Sequence, residues 1–329
     1  MDDYILAKET VQKKYPVTHP FYSLFVFSLY AFFHKYSRMK SKIQELFYDT
    51  DIYIENGSVF EIMKNHSLDS EDFYNGENDS EDGSITYALS SMGYSFSMST
   101  DSVQFEKASP FIVCSLNEIS PTVLLNLFIH EMNHLIKGIQ NGYQTYQNDT
   151  KIGYYLRSGL NYYHYYYEKE NDYLYEVDYF NTLDEVINTI QSTEMVLEIK
   201  ALLEYLEDAE TSNFARTLDS SQMNEYYGYE TCVDVFRSLW SDDSFRLLVE
   251  NNIIQGDIQT IIDEFNRIMG DDCFMDLADT LDEIDDLESV GSNSKKISLL
   301  TNHLQSIIEN YLQKKKNKVN ELSFSFSKS

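Results

Sequence analysis

The 329-residue chain predicts an α+β fold: a small mixed sheet packed on one apolar helix, followed by a mainly α-helical C-terminal half. Three observations predict it. Four short stretches rich in β-branched and aromatic residues, 85–91, 94–99, 102–106 and 111–116, stand directly before the run Ser120–Gly142, SPTVLLNLFIHEMNHLIKGIQNG. The tyrosine-dense stretch Ile152–Tyr167, IGYYLRSGLNYYHYYY, suits one or two further strands. Beyond about Thr182 the chain has no proline and reads as helices over 183–209, 229–240, 243–250, 257–269, 273–288 and 294–318. The expected organisation is N-terminal helices plus a core domain over 1–215, with a helical region over 216–329 packed on that core.

From the start of the chain, residues 4–15 predict a short helix ended by Pro16. His19-Pro20 then leads into a long apolar helix to about Leu46, with Lys35, Arg38, Lys40 and Lys42 toward its end, where cations suit the dipole. Asp51–Phe60, DIYIENGSVF, alternates around Asn56-Gly57 and reads as a hairpin. Leu68–Ser84 is polar, acidic and glycine-containing, which predicts a solvated loop. An EF-hand frame through it would put Leu89 where the bidentate glutamate belongs, so a calcium loop is excluded. The four strand-like stretches from 85 to 116 are read as strands of one sheet.

Composition narrows the function classes. Hydrophobic residues make up 43% and aromatic residues 15%, enough for a large core and too much for a disordered chain. The formal charge of −29 repels nucleic acid and anionic membranes and is compatible with cationic or peptide partners. Cys114, Cys232 and Cys273 are few, odd in number and far apart, which predicts reduced thiols and no cysteine zinc site. Phe21–Phe33 is apolar over 13 residues, short of the roughly 20 that span a bilayer, so no membrane span is expected. The start, Met-Asp-Asp-Tyr, is acidic where a signal peptide is basic, and the cytoplasm is the expected location. The basic run Lys314-Lys315-Lys316-Asn317-Lys318 reads as a favourable helix C-terminus.

The chemistry sits in His130-Glu131-Met132-Asn133-His134. Residues four apart share one helix face, so His130 and His134 can hold one metal ion from the same side. Glu131 lies one position round, within reach of a water on that ion. Ser120 is placed to be the N-cap and Pro121 the first helical residue, and Gly138 or Gly142 offers a stop. Val123, Leu124, Leu127, Phe128, Met132, Leu135 and Ile136 form the apolar stripe that embeds the motif in a core.

A catalytic zinc site commonly has three protein ligands and one open position. The metzincin extension needs a glycine three residues and a histidine six residues after the second ligand. Lys137 and Gln140 stand there, so that class is excluded. The remaining candidates for the third ligand are His164, the one histidine at a suitable distance after the motif, and glutamates of the following helix: Glu185, Glu194 or Glu198. At about 100° per residue Glu194 and Glu198 point away from the face of Glu185, so one of the three faces the metal. A competing structural role exists for Glu185, because Thr182-x-x-Glu185 has the form of a capping box.

Here the chain resembles the gluzincin class of zincin metallopeptidases, in which HExxH is followed by a helix carrying a glutamate ligand. Asp184-Glu185 followed by Asn188-Thr189 is similar to that second motif, with Asp184 where asparagine is often found. Thr189 stands where thermolysin-like members carry an acid that orients a histidine. Over roughly residues 102–200 the resemblance implies a zincin-like core, one Zn2+ ion on His130, His134 and Glu185, and Glu131 as general base in peptide-bond hydrolysis. The partner it implies is a peptide or protein substrate. A donor for the developing oxyanion is sought in the intervening segment: Tyr154, Tyr155, Arg157 or His164. Arg157 stands out, because a cation in an apolar strand requires a partner that an acidic ligand shell would supply. The alternative is a non-catalytic interaction protein on a zincin-like scaffold. An intact Glu131 favours the enzyme, since a structural zinc site has no use for that base.

Overall fold

A computed structural model describes residues 2–68, 86–98, 102–117, 119–139, 143–170, 172–203, 213–214, 216–222, 229–291 and 294–326. Apart from Leu68, the acidic loop expected over 68–84 lies outside the described residues. The protein is a mixed α+β structure with two compact units, Met1–Ile139 with Asn188–Tyr227, and Gln140–Ile187 with Gly228–Ser329. Among the described residues no helix is long and apolar enough to cross a membrane.

The first unit opens on α1 (Asp2–Lys14) and α2 (Tyr22–Lys35), whose phenylalanines 25, 27, 32 and 33 are buried. The single long helix expected to reach Leu46 is instead two. A 3-10 turn at Ser37–Met39 separates α2 from α3 (Lys40–Asp49). α2 is buried almost all round, whereas α3 is amphipathic. The break re-aims the chain so that Ile43, Leu46 and Phe47 face inward. Lys14 closes the far end of α3: its Nζ donates to the carbonyls of Phe47 (2.9 Å), Tyr48 (3.1 Å) and Thr50, three groups a helix C-terminus leaves unpaired.

The hairpin expected around Asn56-Gly57 is absent. Asp51–Glu55 is a strand, β1, but Ser58 begins a helix, α4 (Val59–Asn65). The Ser58 hydroxyl accepts the Glu61 N–H (3.2 Å) and the Glu61 carboxylate accepts the Ser58 N–H (2.9 Å). That reciprocal cap favours a helix over a returning strand and turns Val59, Ile62 and Met63 onto Phe111 and Val113.

The later strands are β2 (Ala88–Ser91), β3 (Tyr94–Met98), β4 (Val103–Lys107) and β5 (Phe111–Ser115). They do not share one sheet as expected. Among the described residues β3 and β4 pair only with each other, while β5 is the centre of a three-stranded sheet in the order β1-β5-β2. β1 runs parallel to β5, with Asp51 opposite Phe111, and β2 antiparallel to it. All five β5 residues are buried, as a central strand covered on both faces requires. The helix α5 (Pro121–Gly138) packs on β2 and β5 and against α2, with the Phe25 and Phe128 rings 5.4 Å apart.

The second unit begins with an antiparallel meander, β6 (Tyr143–Gln147), β7 (Lys151–Ser158), β8 (Asn161–Glu168) and β9 (Tyr173–Tyr179). The tyrosine-dense stretch is therefore two strands, joined by the tight turn Gly159-Leu160 between the paired Ser158 and Asn161. α6 (Asn181–Leu203) follows as one continuous helix; residues 181–187 count with the second unit and the rest with the first. After a 3-10 turn at Ser220–Gln222 come five α-helices: α7 (Glu230–Trp240), α8 (Asp243–Ile253), α9 (Ile258–Met269), α10 (Cys273–Ser289) and α11 (Ser294–Phe326). Phe236, Trp240, Phe245, Phe265, Phe274, Leu277 and Tyr311 form their core. The Tyr311 and Phe265 rings stack at 4.5 Å and 5°.

The basic run does not end its helix, because α11 continues to Phe326. Its lysines instead cap other helices. Lys314 and Lys318 donate to the Met269 and Arg267 carbonyls at the end of α9 (3.0 Å each). Lys315 pairs with Asp242, whose carboxylate also caps α8 through the Phe245 N–H (2.9 Å).

α10 carries an acid that titrates near neutrality. Burial, then the charges of Asp286, Glu288, Asp282 and Glu185, push Asp285 up to about 7. An acid whose folded pKa exceeds its unfolded value, about 3.9, contributes stability that is full below that value and declines as pH rises through 7. In metal-free protein, Asp285→Asn is therefore expected to raise the melting temperature relative to wild type at pH 8, with the gain closing by about pH 4. A gap that is constant across this range would contradict the shift.

Candidate metal centre

α5 starts as its sequence requires. The Ser120 hydroxyl accepts the Val123 N–H (3.3 Å), and Pro121 opens the helix. His130 and Glu131 are buried and His134 is half-buried. The Nε2 atoms of His130 and His134 are 3.1 Å apart. Two nitrogens bound to one tetrahedral zinc at 2.0–2.1 Å stand about 3.3 Å apart, so the pair needs almost no movement to share an ion. Behind them, the Cys114 thiol on β5 is pushed well up, first by burial and then by the Glu131 charge. The sheet thus backs the base.

Glu185 joins them. One ligand atom from each of His130, His134 and Glu185 lies within 4.8 Å of the others. Two imidazole nitrogens and one carboxylate oxygen are the donor set of a three-ligand catalytic zinc site. The competing cap does not form, because α6 begins at Asn181 and Thr182 already lies inside its first turn. The Thr182 N–H is taken by Asp282 (3.3 Å).

That first turn is held by the β7–β8 turn. Asp184, 1% exposed, accepts the Leu160 N–H (3.0 Å), and Asn181 accepts from the Asn161 amide (2.7 Å). Gly159, at φ +63°, lies so close that a Cβ there would stand 2.7 Å from an Asp184 carboxylate oxygen. Asp184 is thus explained by the turn it receives, one residue before the candidate ligand.

The residue beside His134 is Asn188, one turn after Glu185, and not Thr189. The Asn188 Nδ2 is 2.9 Å from His134 Nδ1 and 3.1 Å from Nε2, and its Oδ1 accepts from the Lys137 amine. A lysine donates, so the carboxamide oxygen faces Lys137 and the NH2 abuts the nitrogen edge of the imidazole. Asn188 and Lys137 are both buried, at 0% and 2% exposure, so the ring's rotation is limited from behind. Sequence reading names both residues but gives neither this place. The available signal was spacing: Lys137 is seven residues after His130, and Asn188 three after Glu185, each on its ligand's face. With one His134 nitrogen on an ion the other carries a proton and faces the Asn188 NH2, a donor, so Asn188→Ala is expected to change metal affinity by less than about tenfold with unchanged helix content. Asn188→Asp, which accepts from both the lysine and an imidazole N–H, should retain it. Competition against a chromophoric chelator measures both.

The other candidates lie elsewhere. His164, on β8, stacks on Tyr155 (4.3 Å) and meets the Tyr146 hydroxyl at Nε2 (2.7 Å); burial, then Lys151, lowers its pKa. Tyr155 is part of the same ring stack, and Tyr154, buried on the opposite face, stacks on Tyr165 (4.9 Å). Arg157, on β7, meets an acid from outside the ligand group. Burial lowers its pKa, and the acid that offsets this is Asp257. Gly256, at φ +65°, leaves room for the guanidinium where any side chain would collide with it. Among the described residues, the one group of three metal-ligating side chains is His130, His134 and Glu185, and neither His164 nor Glu194 belongs to it. No family model, curated protein or solved structure matches this chain.

Proposed function

We propose that the protein is a zinc-dependent metallopeptidase with a zincin-like core, made of the β1-β5-β2 sheet, α5 and the ligand helix α6. The observation that carries this is the convergence of His130, His134 and Glu185 with Glu131 one residue along the same helix. Zinc held by these three side chains would supply Lewis acidity and a water whose pKa is brought toward neutrality. Glu131 takes the proton from the attacking water and returns it to the leaving amine, acting as base and then acid. Its buried position keeps the carboxylate away from competing solvent contacts. Asn188 and Lys137 hold the His134 ring, and Asp184 anchors the turn that carries Glu185. A purely structural zinc site would need no carboxylate at position 131.

The test is metal analysis combined with hydrolysis. Protein purified without chelator should carry close to one zinc per chain and cleave a denatured protein substrate. A chelator should abolish cleavage and added zinc should restore it. Protein that takes up no metal at micromolar zinc would overturn the site, and full cleavage in the metal-free state would overturn the mechanism.

A further inference from the structure

We infer that a cavity between α8, α9 and α11 binds a free α-amino acid, a small zwitterion held by its ammonium and its carboxylate at once. The cavity measures about 440 Å³, toward the small end of the roughly 300–1,000 Å³ usual for small-molecule pockets. All three helices belong to the second unit.

Tyr311 points to a ligand. It lines the cavity and is 1% exposed, with its ring stacked on Phe265 (4.5 Å) and set edge-on to Phe245 (5.9 Å). Its hydroxyl makes no hydrogen bond among the described residues. The charges of Asp242, Glu264 and Arg267 act on that hydroxyl, which puts it at the charged part of the wall. A buried hydroxyl without a partner is costly, and a bound molecule that pairs with it removes the cost.

The charges of the wall itself select the class. Asp263 and Glu264 face Arg267 and Lys315 across it, so the wall sums to zero in a chain of −29 and matches neither a simple anion nor a simple amine. Their pairing leaves one group free at each end. Glu264 is taken by the Arg267 Nε (2.7 Å) and Nη2, and Lys315 by Asp242. Asp263 has no ion pair among the described residues and accepts only from the Gln259 amide (2.7 Å), so its carboxylate can take an ammonium. The Arg267 Nη1 and the Tyr311 hydroxyl remain as donors for a carboxylate. Asp263 and Arg267 are four residues apart on α9, one turn or about 6 Å along the axis, so one small dipolar molecule reaches both.

The rest of the wall fits the same molecule. Ser244 and Thr260 give their hydroxyl protons to Asp242 (2.9 Å) and Asp257 (2.6 Å), which leaves them lone pairs that accept from an ammonium. Leu248 and the Tyr311 ring supply apolar surface for a side chain. None of these residues belongs to the group of His130, His134 and Glu185, so amino-acid binding is expected whether or not the protein cleaves peptides.

Calorimetry on the full chain, stripped of metal by a chelator, uses three probes. They are L-leucine, leucinamide, which lacks the carboxylate, and 4-methylpentanoate, which lacks the ammonium. Leucine should bind, and each one-ended analogue should bind at least about tenfold more weakly. Asp263→Asn and Tyr311→Phe should each weaken leucine binding by about tenfold, with circular dichroism checking the fold. Tyr311→Phe keeps the ring stack and removes a hydroxyl that bonds nothing, so the melting temperature of the ligand-free protein should stay level or rise. A fall in that temperature would give the hydroxyl a structural partner and count against the site. No binding at millimolar leucine, an analogue that binds as tightly as leucine, or leucine affinity untouched by either substitution would each overturn the proposal. Binding that appears only when zinc is restored would also overturn it, because leucine would then sit at the metal centre.

Discussion

Glu185→Ala is expected to reduce bound zinc from about one ion per chain to a small fraction of that, with an affinity loss of about a hundredfold or more, since even outer supporting contacts are worth 10–100-fold. The prediction is sharp because the helix should survive. Asp184, Asn181 and Thr182 anchor the first turn of α6 through Leu160, Asn161 and Asp282, and none of these bonds uses the Glu185 side chain. Had Glu185 been the cap of a Thr182 box, alanine would fray the helix and leave the metal in place. Glu194→Ala and His164→Ala are the controls, since neither residue belongs to the three-ligand group. Atomic emission on dialysed protein reads all three. Zinc retained by Glu185→Ala, or lost by either control, would refute the ligand assignment.

Glu131→Gln should separate binding from chemistry. The amide keeps the size and burial of the glutamate and lacks a base, so zinc content should stay near wild type while cleavage falls by about 10²–10⁴-fold, the range that a positioned base contributes. The loss should appear in kcat more than in KM, because Glu131 acts on the water and not on peptide affinity. A variant that cleaves at the wild-type rate would remove Glu131 from the mechanism even with the metal site intact. The two variants together distinguish a site that holds metal from one that also uses it.

Elements written in local periodicity were legible. The motif helix with its Ser120 cap and Pro121 start, and the helices expected over 229–240, 243–250, 257–269, 273–288 and 294–318, follow the apolar spacing of their own residues, the last running on to Phe326. The failures came where a short signal competed with a nearby one. Asn56-Gly57 reads as a hairpin turn until Ser58 and Glu61 are seen to close a capping box two residues later. After the aromatic run from Phe21 the stretch 34–46 has no proline or glycine to mark an end, but the chain turns at Ser37–Met39 and α3 buries its own stripe.

By itself the sequence determined the α+β class, the single face shared by His130 and His134, and the base beside them, because a helix of 3.6 residues per turn leaves no other arrangement. It also carried Glu185 as a candidate, through resemblance and spacing. Only the tertiary structure brought Glu185 beside His130 and His134, and it starts α6 two residues before a Thr182 cap would, giving the Thr182 N–H to Asp282. It alone paired β1 in parallel with β5 across an interval of 60 residues, from Asp51 to Phe111, and brought Asn188 and Lys137 together behind His134. Those contacts join residues far apart in the chain, and local periodicity carries no information about which distant partner will satisfy a buried polar group.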